Sequence, residues 1–230
     1  MISILLPTRS RVELLHKVIH NLYETCDNEE NYEILIKVDD DDIDTVEYLE
    51  EYYKDHEGIR WIVTSCGRGY PDMHKWINDL CEIAKGQLLF LYNDDCVMET
   101  KGWDTKMLKY KNKVAVLKTN TKDQFRESNL FPVLNKKIYD LWGHFSLSPH
   151  NDTWVELISR AGKFEIPIDV EITHDRADIT GNNEDVIFLK RSKAYHTTLP
   201  EFWNDEMKML RVKDAQVIMD YIAENGNEIN

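Results

Sequence analysis

The sequence predicts an α/β fold: a mostly parallel sheet flanked by helices, followed by a helical C-terminal extension. Its first half alternates short apolar runs with amphipathic stretches in β-α-β-α-β-α-β order, which implies right-handed crossovers. The apolar runs are continuous, as in strands covered on both faces. Two of them, 34–38 and 88–92, end in clustered acids, at the strand tips where open α/β sheets hold their ligands.

Residues 2–6 form the first strand. Ser10 and Glu13 have capping-box spacing, and Leu15, Val18, Ile19 and Leu22 share one helical face. Residues 34–38 are the second strand. Asp44 and Glu47 form a second capping pair ahead of the stripe Val46, Leu49 and Tyr53. Residues 59–63 are the third strand. Asp72 is positioned to cap a helix carrying Trp76, Ile77, Leu80 and Ile83, and Gly86 stands where a C′ glycine would end it. Residues 88–92 are the fourth strand. Beyond them the pattern predicts a strand at 114–117, helices at 136–142 and 153–161, an extended run at 164–173, and helices near 184–193 and 205–224.

A chain of 230 residues fits one α/β domain with a sizeable core, and 42% hydrophobic with 30% charged residues describes a soluble globular protein. No internal repeat, low-complexity tract or linker interrupts it. The formal net charge of −14 counts against unassisted binding to polyanions. A nucleic-acid acceptor would need a local basic face, for which Lys106, Lys109, Lys111 and Lys113 are the candidates. Cys26, Cys66, Cys81 and Cys96 form no CxxC pair, so neither a zinc ribbon nor a disulfide framework is indicated. A reducing compartment suits them. Residues 2–6 are too short for a signal-peptide core, and no apolar stretch approaches the ~20 residues that span a bilayer. The expectation is a cytoplasmic protein without a membrane anchor.

The turn Pro7-Thr8-Arg9-Ser10-Arg11 has no glycine, which argues against a dinucleotide-binding turn or a P-loop. Arg9 and Arg11 read equally as a solvated helix start. Within the acidic run, Asp40, Asp42, Asp44 and Glu51 match EF-hand positions 1, 3, 5 and 12. However, Thr45 stands where that loop demands glycine, and the preceding element reads as a strand. Asn93-Asp94-Asp95 offers hard oxygen ligands for a divalent cation, which in turn can offset the charge of a diphosphate.

Four stretches resemble the family 2 glycosyltransferases with the GT-A (Rossmann-like) fold: residues 2–9 (ISILLPTR), VDDDD at 38–42, GRGY at 67–70 and LLFLYNDD at 88–95. Residues 131–164 resemble that family's acceptor-side segment, and the likeness covers about 1–175. Two departures are Asn93-Asp94-Asp95 in place of three acids and Asn151-Asp152 where Glu-Asp is frequent. The resemblance implies one catalytic domain over 1–230, with a nucleotide-binding half at 1–100, an acceptor-side half at 101–175 and a helical extension at 176–230. It assigns Pro7, Thr8, Arg9, Asp39, Asp40, Arg68 and Asp94 to nucleotide or donor binding. It assigns Asp95, with His174 as a further ligand, to Mn²⁺ or Mg²⁺, and Asp152 to the general base. Trp142 and His144 are candidates for an acceptor platform, or for core packing.

The expected function is metal-dependent, inverting transfer of a sugar from a nucleoside-diphosphate donor to a hydroxyl acceptor. UDP-sugar is the default donor. The acceptor stays open between a glycan, a protein, a small molecule and a modified nucleic-acid base. The alternatives are a nucleotidyltransferase and a non-catalytic nucleotide- or Ca²⁺-binding module.

Overall fold

The computed structural model describes residues 1–229. Its first half runs β1 (Ile2–Pro7), α1 (Val12–Thr25), β2 (Tyr32–Asp39), α2 (Ile43–Tyr53), β3 (Ile59–Thr64), α3 (Met73–Ile83) and β4 (Leu88–Leu91). The second half runs β5 (Cys96–Met98), α4 (Trp103–Leu108), β6 (Val116–Asn120), β7 (Val133–Asn135), α5 (Lys136–Trp142), α6 (Asn151–Ala161) and β8 (Glu165–His174). The tail adds α7 (Ala177–Thr180), α8 (Val186–Phe202) and α9 (Asp205–Asn225). The strands form one sheet in the order β3-β2-β1-β4-β7-β6-β8-β5.

Strands β1 to β4 are parallel, with β1 between β2 and β4. The order therefore reverses at β1, and the tips of β1 and β4 lie side by side. Alternation along these strands divides the core in two. Ile2, Ile4 and Leu6 of β1 join Leu15, Val18, Ile19 and Leu22 of α1 on one face. Leu5, Leu35 and Leu89 meet Ile77 and Leu80 of α3 on the other.

The three-residue strands β5 and β7 have no counterpart in the sequence reading. Both are antiparallel additions, β7 to β4 and β5 to β8. The β5–β8 register sets Cys96 opposite His174, which carries the end of β8 back to the tip of β4. The tail packs closely on this frame. Helix α9 lies against α5 and α6, and α8 lies against the turn before α3. Arg211 is buried with its guanidinium over Phe202 at 4.3 Å and Trp154 at 5.4 Å, and it donates to the Phe202 carbonyl at 2.9 Å. The predicted helix near 184–193 is longer than expected, running through Pro200 to Phe202.

The expected caps are displaced by tertiary partners. Ser10 adopts φ +51° and does not cap α1; its N–H donates to Asp42 at 2.6 Å. Asp44 sits inside the first turn of α2, whose N-cap position is Asp42. Asp72 does precede α3, but its carboxylate is turned back to Arg68. Gly86 is not left-handed and ends no helix. A Cβ there would lie 2.5 Å from the Ser3 nitrogen and 2.6 Å from its Oγ. Glycine is required because the chain entering β4 crosses β1 at close range. Gly86→Ala is therefore expected to cost about 1–3 kcal/mol. It should lower the urea midpoint of unfolding, and an unchanged midpoint would contradict the close approach.

Candidate active site

A cavity of about 520 Å³ opens at the C-terminal tips of β1 and β4. Its floor is built from residues that leave those strands. Thr8, one residue past β1, donates from Oγ1 to Asp94 Oδ2 at 2.7 Å. Asp94 and Asp95 follow β4, and both are buried. Opposite them, His174 Nε2 lies 3.0 Å from Asp95 Oδ1, a contact that the Cys96–His174 register creates. Asp39, at the end of β2, lines the same cavity.

The two adjacent acids are pushed in opposite directions. Burial raises the Asp94 carboxyl, and the charge of Asp95 adds to that, against the opposing pull of Arg11. Burial also works against a charge on Asp95. There, however, the hydrogen bond and charge of His174, with Arg11 and Arg176, win and hold it below the ordinary carboxylate range. Asp95 is thus the firm anion of the pair. His174 Nδ1 is buried with no partner among the described residues. Asp95, Cys96 and His174 present ligand atoms within 4.8 Å of one another. Burial pushes the Cys96 thiol well up, and its soft sulfur suits Mn²⁺ or Mg²⁺ less than the carboxylate does. A buried carboxylate facing the Nε2 atom of an imidazole fits Mn²⁺, and less closely Mg²⁺, which prefers oxygen.

The wall on the α3 side is the turn Gly67-Arg68-Gly69-Tyr70. Gly67 and Gly69 have φ +53° and +75°, and a Cβ on Gly67 would lie 2.6 Å from Asp72 Oδ2. Asp72 gathers this turn by accepting from the Arg68 backbone at 2.9 Å and from its guanidinium at 2.8 Å. Arg68 lines the cavity from the surface, with 68% of its side chain exposed. Arg9 lines it too, bound to Asp39 and to Asp41. Lys37, buried in β2, also bonds Asp39 and stands 4.0 Å over the Trp76 ring. The Asp39 anion is therefore held by two cations.

Asp152 lines the cavity with Pro149 and Asn151. It is the second residue of α6; the N-cap position is His150, so Asp152 is not the cap of that helix. Its Oδ1 accepts from the Thr153 N–H at 2.8 Å. Helix α8 forms the roof with Ile187, Phe188, Lys190, Arg191 and Ala194. Tyr70 reaches up to it, with the Arg191 guanidinium 5.6 Å from its ring and 5.0 Å from that of Tyr195.

Most of the residues expected from sequence converge here: Pro7, Thr8, Arg9, Asp39, Arg68, Asp94, Asp95, Asp152 and His174 all line the cavity. Three do not. Asp40 is exposed and outside the wall, because β2 ends at Asp39 and Asp40 already belongs to the turn. Trp142 and His144 lie under the tail. Trp142 Nε1 donates to the Asp214 carbonyl at 2.9 Å, and His144 Nε2 sits 3.4 Å from the Asp214 carboxylate. They pack against the tail and do not line this cavity.

The EF-hand alternative also fails. The acidic run is entered from β2 and not from a helix, and Asp42, at the third loop position, accepts from the Ser10 N–H. Sequence reasoning missed Asp185, the α8 roof and Lys37, and left Arg11 undecided. The one signal for α8 was Asp185, an N-cap whose side chain accepts from the Phe188 N–H.

Residues 3–154 match the family described as Glycosyl transferase family 2. The chain belongs to that family, and its architecture is the GT-A fold of glycosyltransferases. A mannosyltransferase, PcManGT from Pyrobaculum calidifontis, in complex with GDP-Man and Mn²⁺, is similar at TM-score 0.64 and 11% identity, over 98% of this chain and 75% of that one. S. aureus TarS 1–349 in complex with UDP is similar at TM-score 0.58 and 12% identity, over 75% of this chain. The matched part is 60% of that TarS chain, and 36% in a longer TarS structure. No curated protein sequence matches the chain. Among the described residues, no helix is long and apolar enough to cross a membrane.

The raised Asp94 carboxyl has a consequence for stability. A carboxyl whose folded pKa lies above its unfolded value stabilises the fold while protonated. That contribution is lost as pH rises from the unfolded value, about 3.9, through the folded one. The melting temperature of Asp94→Asn should therefore gain on wild type between about pH 4 and about pH 7. A difference that stays constant over this range would show that Asp94 titrates as an ordinary surface acid.

Proposed function

We propose that this protein is a metal-dependent, inverting glycosyltransferase that moves a sugar from a nucleoside-diphosphate donor to a hydroxyl acceptor. The observation that carries the reading is one cavity lined by Asp95, by His174 bonded to it at 3.0 Å, and by Asp152. UDP-sugar is the default donor. Residues 1–100 supply the nucleotide side, 101–175 the acceptor side, and 176–230 the cover.

Pro7, Thr8 and Asp39 would receive the nucleoside, with Arg9 holding Asp39 in place. Arg68 would meet the base or the diphosphate from the rim. Asp94 would accept from a ribose or sugar hydroxyl. Asp95 and His174 would hold Mn²⁺ or Mg²⁺. Such a cation supplies Lewis-acid stabilisation to the departing diphosphate. Asp152 would take the proton of the acceptor hydroxyl as its oxygen bonds to the anomeric carbon. The bond from that carbon to the diphosphate breaks on the opposite face, which inverts the centre.

Lys106, Lys109, Lys111 and Lys113 do not serve this acceptor site. Lys106 is paired to Asp169 at 2.9 Å and Lys113 to Glu228. The Met1 amino group, at the start of β1, has its pKa lowered by burial and then by the charge of Lys111. None of the four lines the cavity, so a nucleic-acid acceptor gains no support from them.

Thermal unfolding with UDP, GDP, CDP and ADP, each with and without Mn²⁺, tests donor binding. A nucleotide at 100 times its Kd should add about 2.7 kcal/mol of stability. Asp95→Ala is expected to abolish the metal-dependent part of that rise. Asp152→Asn should keep the rise yet slow release of diphosphate from the nucleotide-sugar by about 10²-fold or more. Full turnover in Asp152→Asn would remove Asp152 from the role of base. Pyrophosphate release from a nucleoside triphosphate would favour the nucleotidyltransferase reading.

A further inference from the structure

Arg11 makes the one direct ionic link between the paired acids and the roof among the described residues. Its side chain is 9% exposed. Nη1 donates to Asp94 Oδ1 at 2.8 Å and to Asp95 Oδ2 at 3.4 Å. Nε and Nη2 grip Asp185 in a two-pronged bond, at 2.8 Å and 3.0 Å. Asp185 is in turn the N-cap of α8, accepting from the Phe188 N–H at 2.7 Å. One guanidinium therefore joins the floor of the cavity to the first turn of the helix that covers it. Burial works against its charge, but Asp94, Asp185 and Asp95 outweigh that and keep Arg11 fully cationic.

The two oxygens of Asp95 are divided. Oδ1 faces His174, and Oδ2 faces Arg11. A divalent cation on Asp95 and His174 would lie against the Arg11 guanidinium, and like charges in a site closed to water repel strongly.

We propose that Arg11 is a resident cation that competes with the metal. In the empty protein it neutralises Asp94 and Asp95 and clasps Asp185, which keeps α8 seated. Loading of metal and nucleotide displaces the guanidinium from the two acids and breaks its grip on Asp185. Arg11 thereby sets how tightly the metal binds and couples metal loading to the first turn of α8. The proposal rests on the metal-dependent donor site proposed above.

Mn²⁺ binding, followed by the free-ion electron paramagnetic resonance signal, gives the test without any turnover. Arg11→Met keeps the stem and removes the charge. It is expected to bind Mn²⁺ about tenfold tighter than wild type, a change of about 1.4 kcal/mol. Amide hydrogen exchange in the first turn of α8 should accelerate in the same variant. Arg11→Lys keeps the charge without the planar fork, so exchange should accelerate while Mn²⁺ affinity stays near wild type. Equal or weaker Mn²⁺ binding by folded Arg11→Met overturns the competition.

A second readout needs no variant. In ¹⁵N-labelled wild type the Arg11 Nε–H resonance should be protected when the protein is empty and lose that protection with Mg²⁺ and UDP. An unchanged resonance in a protein that demonstrably binds both ligands overturns the clasp. Absence of metal binding in wild type and Arg11→Met alike, with or without nucleotide, would instead sink the metal site itself and the clasp with it.

Discussion

Asp94 and Asp95 are adjacent in sequence, nearly excluded from water, and set at the tip of a buried strand. Two carboxylates so placed cannot both ionise without nearby positive charge. The surrounding structure is largely an answer to that constraint. Thr8 donates to one acid, His174 faces the other, and Arg11 bridges both. Thr8 and Arg11 come from the one loop between β1 and α1, and His174 comes from the end of β8. The constraint therefore fixes where strands end and how distant parts of the chain meet. A similar solution recurs one strand over, where buried Asp39 is held between Arg9 and Lys37. Charge in this cavity is balanced locally, despite a formal net charge of −14 over the whole chain.

The parallel half was legible because its signals are local and redundant. Continuous apolar runs mark β1, β2 and β4, and helical stripes mark α1 and α3. The acids at 39 and 94–95 were legible for a different reason, since clustered charge at the tip of a buried strand has no structural use. The antiparallel half was not legible. Three residues of β5 or β7 carry no period of their own, and their pairing partners lie far along the chain. Capping pairs misled because Ser10 and Asp72 bond across the fold and not along the helix. Asp40 and Asp39 could not be told apart without knowing where β2 ends. Trp142 and His144 could not be placed without knowing that α9 covers them.

The tail shows a related limit. Its sequence matches no motif, yet it supplies much of the roof. The Arg211 side chain, stacked between Phe202 and Trp154, anchors α9 beneath α8. Composition alone reads α9 as a charged, weakly amphipathic helix. Its buried residues Arg211, Asp214, Ala215 and Ile218 nevertheless share one helical face.

The Cys96–His174 register also bears on how the protein is made. Asp95 and His174 are 79 positions apart, and Arg11 and Asp185 are 174 apart. Closure of such long loops comes late in folding. During synthesis the first four strands can assemble while most of the tail is still in the ribosome. At that stage the two buried acids have neither His174 nor the roof. A nascent chain would thus carry a formed sheet and an unfinished cavity.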